Sequence, residues 1–151
     1  MDWLKKWQWI LISIGIFFCS LASQAAVEFS KKSIWVGKSK IIVEIADNIQ
    51  KRELGLMNRT GLSPNTGMLF IHEKSGIQHY WMKNTFIDLS IGFFDKNKKL
   101  VQIEKLNASK SSMQIDVDRT ESKTPVKYAL EVPRGWFVEN KIKLGDQLKF
   151  N

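Results

Sequence analysis

From Ile41 onward the chain alternates short apolar runs with polar breaks that carry glycine or proline. Ile41-Ile42-Val43-Glu44-Ile45 is β-branched with one charged interruption, a strand pattern. Asp47 with Gln50 three residues later matches a helix-starting pair, Asn48 to Leu54 supplies about two turns, and Gly55 ends them. Thr60-Gly61 and Pro64-Asn65-Thr66-Gly67 are turn chemistry, and Met68-Leu69-Phe70-Ile71 follows as a short apolar strand. Gln78 to Met82 predicts the next strand. Leu89, Ile91 and Phe93 share one face of another, which turns at Asp95-Lys96-Asn97-Lys98 into a partner from Leu100 to Leu106. Asn107 to Thr124 is polar and weakly patterned, and reads mostly as loop. Tyr128, Leu130 and Val132 alternate in a further strand that Pro133-Arg134-Gly135 breaks. Trp136 to Lys141 predicts a short helix, Gly145-Asp146 a turn, and Gln147 to Phe150 a last strand. Many short strands with one or two short helices predict a mainly β fold, a compact antiparallel sandwich or barrel.

The first 25 residues have a different pattern. Lys5 and Lys6 precede an uncharged stretch, its strongest apolar run at Ile10–Cys19, and Ala-Ser-Gln-Ala places small residues at the −3 and −1 positions of a cut after Ala25. Those are the parts of a secretory signal peptide, with an uncleaved membrane anchor as the alternative. Residues 26–40 then form an N-terminal extension or edge strand, and 41–151 a single β domain. The expected location is the periplasm or cell envelope, with membrane contact only through residues 1–25.

The charge changes the picture little. The chain has 151 residues and a formal charge of +8; losing two lysines and one aspartate with the leader leaves 126 residues at +7. Cys19 is the one cysteine, so the mature chain has neither disulfide nor CxxC pair. Lys96, Lys98, Lys99, Lys105 and Lys110 read as solvated positions that discourage edge pairing, and no nucleic-acid partner is expected. There is no hydrolase elbow and no P-loop, and the zincin-like start at His72-Glu73 lacks its second histidine. Asp116 and Asp118 read as solvated loop carboxylates. Met57, Met68, Met82, His72, His79 and Trp81 fall in one window, so a Cu(I) module is a low-weight alternative to methionines packed in a core. Neither a cofactor nor a metal is expected.

The richest stretch is Gln78-His79-Tyr80-Trp81-Met82-Lys83-Asn84-Thr85. In a strand, Trp81 and Lys83 share one face, with Tyr80, Met82 and Asn84 on the other. Upstream, Arg52 and Arg59 flank Gly55-Leu56-Met57, and Arg52 can fork onto a carboxylate. Glu131, opposite in face to Leu130, and Asp146 are its candidate partners. Two readings follow: a polar bracket in which Arg52 pairs with Glu131 or Asp146, or a ligand groove formed by Arg52, Arg59, Trp81, Lys83, Asn84, Thr85 and Glu131.

These pieces, Arg52–Arg59, Gly67–Phe70, Trp81–Thr85, Leu130–Trp136 and Gly145-Asp146, occur in an order that resembles the domain of unknown function 192 family over about Ile41 to Phe150. The resemblance implies a small, often exported prokaryotic β protein and brings no established reaction. It marks Gly55, Met57, Gly67, Met68, Met82, Gly135, Gly145 and Asp146 as the structural motif. One departure stands out: the family has a Pro-Leu-Asp-Ile type sequence where this chain has Asp88-Leu89-Ser90-Ile91, so a carboxylate moves from position 90 to 88. The expected function is a non-enzymatic binding or accessory module of the envelope. The alternative is an enzyme on an envelope polymer or small anion, with Lys83 as electrophile, Glu131 as acid or base and Arg52 as clamp.

Overall fold

The computed structural model describes residues 26–150; the expected leader, residues 1–25, lies outside the described residues. Among the described residues eleven elements follow one another. They are β1 (Lys31–Val36), β2 (Ser39–Ala46), α1 (Ile49–Leu54), β3 (Thr66–Gly76), β4 (His79–Trp81), β5 (Leu89–Phe94), β6 (Leu100–Leu106), β7 (Arg119–Glu121), β8 (Val126–Pro133), α2 (Trp136–Glu139) and β9 (Leu148–Phe150). The fold is mainly β with two short helices.

Seven strands form one curled sheet in the order β6-β5-β8-β3-β2-β1-β9, and β4 and β7 form a separate ribbon. All pairings are antiparallel except β2 with β3, which run parallel from Ile42↔Thr66 to Ala46↔Phe70. A parallel pair needs a long return path. Residues 47–65 supply it, and α1 lies on that path. The sheet curls until its two ends meet: Lys99 bridges Gln147, Leu100 donates its N–H to the Asp146 carbonyl at 2.9 Å, and Leu148 donates to Lys98 at 2.9 Å. Gly145 donates to the Leu100 carbonyl at 2.8 Å, so the Gly145-Asp146 motif is the clasp of the barrel.

Alternation along the central strands builds two cores. Leu69, Leu130, Val132 and Phe94 point inward with Ile34, Val36, Val43 and Leu148, and Trp136 and Phe137 of α2 cap them. The opposite face of the same strands carries Met68, Phe70, Ile91, Phe93 and Ala129, covered by Leu56, Met82 and Val117. Covering both faces explains why every residue of β5 is buried. Close packing, against backbone at Gly67 and against a side chain at Gly92, sets two glycines in place. A Cβ at Gly67 would run into the Glu131 carbonyl oxygen and sit 3.0 Å from Val132 Cγ1, and one at Gly92 would lie 2.6 Å from Phe137 Cζ.

Three local expectations shift. The α1 cap is Asn48, one residue past Asp47: its Oδ1 accepts from Lys51 N at 2.9 Å, while Asp47 meets Lys51 Nζ at 3.4 Å. β3 runs on to Gly76, beyond the apolar tetrad at 68–71, because β8 continues to offer it backbone partners past a bulge. The polar stretch 107–124 contains a strand after all, β7, which pairs with β4 from His79↔Glu121 to Trp81↔Arg119.

Candidate functional site

The site forms where the outer face of β3 and β8 meets α1 and β4. Met68 stands opposite Glu131 across the β3–β8 pair, so period-two alternation carries Phe70 and His72 onto the face that Glu131 occupies. α1 lays Arg52 over this face. Its Nη1 donates to the Ile71 carbonyl at 2.9 Å. β4 turns Tyr80 inward and Trp81 outward; Trp81 is 51% exposed. Gly55 ends α1 with its N–H on the Lys51 carbonyl at 2.9 Å, and the chain then delivers Leu56 to the core and Met57 to the pocket.

These residues enclose a cavity of about 100 Å³ lined by Arg52, Met57, Phe70, His72, Tyr80 and Glu131, with His79, Trp81 and Thr85 beside them. Its aromatic wall is ordered edge to face: Phe70 and Tyr80 centroids are 5.1 Å apart at 82°, Tyr80 and Phe93 5.7 Å at 64°. Tyr80 Oη and His72 Nε2 lie 2.8 Å apart. Burial, and after it the charge of Arg52, hold the His72 imidazole down at about 4, so this ring is neutral at neutral pH. Burial pushes the Tyr80 phenol well above its usual range; Glu131 adds to the rise and Arg52 opposes it.

Glu131 is the most unusual group. It is 6% exposed, and burial raises its carboxyl to about 8. Among the described residues its side chain has neither a hydrogen bond nor an ion pair. Arg52 therefore does not pair with it. Nor does Arg52 pair with Asp146, whose Oδ2 accepts from Lys143 N at 2.8 Å in the clasp. The bracket reading of Arg52 is replaced by an anchor on a backbone carbonyl, with two chargeable groups of opposite type lining one cavity and no ion pair between them.

Of the seven candidate ligand residues, Arg52, Trp81, Thr85 and Glu131 line the pocket, and the other three lie outside its wall. Arg59 grips Glu44 through both nitrogens, at 3.1 and 2.5 Å, beside a separate cleft bounded by Gly61, Leu62 and Gly67. Lys83 is absent from the pocket wall and holds its ammonium 5.4 Å from the ring centroid of Trp81, which does line it. Asn84 has a positive φ of 52°, and its carbonyl accepts from Asn58 N at 2.7 Å; its own Oδ1 is buried without a partner. Thr85 is buried, its hydroxyl donating to the Lys83 carbonyl at 3.2 Å.

Of the residues in the copper alternative, Met68 and Met82 are fully buried in apolar packing, while Met57, His72, His79 and Trp81 line the pocket, with His79 Nδ1 3.1 Å from Glu121. Among the described residues no group of three or more His, Cys, Asp or Glu is placed to hold a metal. Ser90 and Asp88 also find structural uses. Ser90 Oγ accepts from Gly135 N at 3.2 Å on the face away from Glu131, and Asp88 Oδ1 accepts from Ala108 N at 2.8 Å and meets Arg134 at 3.5 Å. A carboxylate at position 90 would point into the barrel, away from Arg52.

His72 and Tyr80 are pocket residues that the sequence reading set aside. The signal for His72 was the alternation Met68, Phe70, His72, and for Tyr80 its shared face with buried Met82. Neither signal tells which elements cover that face.

A curled β sheet whose outer face is roofed by a short helix and a ribbon, with a small polar pocket at the seam, defines a compact β-barrel-like domain. The chain belongs to the DUF192 family, described as "Uncharacterized ACR", whose family model matches residues 32–150. Among solved structures it is similar to a candidate transcription regulator from Sinorhizobium meliloti 1021, at 26% identity and a TM-score of 0.73, covering 83% of this chain and 98% of that one. A protein of unknown function from Novosphingobium aromaticivorans DSM 12444 shares the fold at 24% identity and a TM-score of 0.68, covering 87% and 91%. No curated protein matches.

Proposed function

We propose that this protein is an exported cell-envelope module that binds a small polar ligand in the pocket between α1 and β4 and catalyses no reaction itself. The basic, apolar, small-x-small order of residues 1–25 supports export. The observation that carries binding is the pair Arg52 and Glu131, two chargeable groups in one pocket wall with no ion pair between them. A buried polar group left without a partner costs roughly 1–3 kcal/mol. A ligand that reaches both groups gives the Glu131 carboxyl a hydrogen-bond partner and takes up donors that Arg52 does not spend on Ile71. Trp81 at the rim adds an exposed ring for stacking.

The protein isolated from cell envelopes begins at Ala26 in mass spectrometry if the leader is cleaved; an intact Met1 overturns cleavage. In a thermal-shift panel of small amino acids, carboxylates, amines and sugars, at least one class raises the melting temperature with dose. Trp81→Ala melts near the wild-type temperature yet loses most of that shift. A flat panel, or a Trp81→Ala variant that binds as well as wild type, overturns the reading.

A further inference from the structure

The kind of molecule that fits follows from what stands at the two ends of the pocket, and this step rests on the binding reading above. Glu131 is the floor, rooted in the central strand β8 between Met68 of β3 and Ile91 of β5 and almost fully buried. Arg52 stands at the mouth, because it also lines an open groove with Ile49, Glu53, His79 and Trp81. One of its five donors is spent on Ile71, and no other hydrogen bond of its fork is made among the described residues. Tyr80, in the same wall, lies within the field of both groups. They are nonetheless more than 4 Å apart, since no ion pair joins them.

A simple anion would satisfy Arg52 and leave the floor carboxyl stranded. A simple amine would do the reverse. A molecule with both groups satisfies both ends and carries no net charge into the cavity, which limits the desolvation cost. The small volume and the Met57, Phe70 and Tyr80 walls restrict it to a short aliphatic frame. We propose that the pocket binds a small zwitterion, an amino acid or ω-amino acid, with its ammonium on Glu131 at the floor and its carboxylate on Arg52 at the mouth.

The proton balance follows. In the empty pocket at pH 7 the Glu131 carboxyl, raised to about 8 by burial, is mostly protonated. An arriving ammonium favours the carboxylate, so the O–H bond breaks and its proton goes to the buffer. No other bond changes.

Isothermal titration with glycine, β-alanine and γ-aminobutyrate, with acetate and methylammonium as half-ligands, tests this at pH 7 in two buffers of unlike ionisation heat. At least one zwitterion binds, each half-ligand binds at least tenfold more weakly, and the buffer dependence corresponds to release of close to one proton. At pH 9 that release falls toward zero. Glu131→Gln weakens the zwitterion at least tenfold and abolishes the buffer dependence. Binding without proton release, or acetate binding as tightly as the zwitterions, overturns the ligand class while the binding reading stands. Silence from all five probes overturns the class too; the binding reading then falls only if the wider thermal-shift panel is also flat. The wild-type buffer experiment decides the matter even where Glu131→Gln folds poorly.

Discussion

Glu131 and His72 line the same cavity and titrate in opposite directions. Glu131 has a folded pKa of about 8 against an ordinary 4.5, so between those values the folded protein holds a proton that the unfolded chain has released. Stability therefore falls as pH rises from about 4.5 through 8, with a slope of at most about 1.4 kcal/mol per pH unit. His72 has a folded pKa of about 4 against 6.5, so between those values the unfolded chain holds the extra proton, and stability rises with pH. From about 4.5 to 6.5 the two effects oppose each other, and from about 6.5 to 8 the fall due to Glu131 stands alone. Urea midpoints across pH 4–9 check this. The wild type loses stability above pH 6.5, Glu131→Gln does not, and in His72→Gln the decline begins nearer 4.5. A wild-type profile that stays flat from 6.5 to 8 would mean that the Glu131 carboxyl charges as freely as an exposed one.

α1 carries the mouth of the pocket and is too short to be helical alone. It holds its place through the Asn48 cap, the Asp47–Lys51 contact and the Arg52 anchor on β3. Asn48→Ala removes the cap and costs about 1 kcal/mol in urea denaturation. Because Arg52 rides on this helix, the same variant also weakens ligand binding; a variant that keeps full affinity would show that Arg52 is held from β3 alone. The helix was legible from Asp47 with Gln50 at its start and Gly55 at its end, although the cap itself is Asn48. β7 was not. It sits in a polar stretch without alternation, and polar partners fix it: Ser122 Oγ accepts from Gln78 N at 3.0 Å, and Gln102 Nε2 donates to the Glu121 carbonyl at 3.0 Å. No local hydrophobic pattern records such a pairing.

At the scale of the molecule, a short final strand closes the barrel. β9 pairs with β1, and the segment before it clasps β6, so Leu148 is buried at the join between the first and last elements. Leu148→Ala leaves a cavity there and costs about 3 kcal/mol, with the whole domain unfolding in one transition. A change below about 1 kcal/mol, or loss of β9 signals before the rest in hydrogen exchange, would show that the clasp is peripheral. β1 falls in the stretch 26–40, read as an N-terminal extension or edge strand, and it pairs with β2 on one side and β9 on the other.

The sequence by itself determined the mainly β character, most strand positions, the α1 and α2 helices, the family, and the opposite facing of Leu130 and Glu131. Those follow from local alternation, turn residues and ordered motifs, which act over a few positions. Only the tertiary structure decided that β2 and β3 run parallel, that Arg52 takes a backbone carbonyl and leaves Glu131 without a salt bridge, and that Arg59 and Lys83 stand outside the pocket. The physical reason is distance along the chain. Arg52, His72, Tyr80 and Glu131 come from four elements, and the curl of the sheet with its roof of α1 and β4 fixes which of them meet.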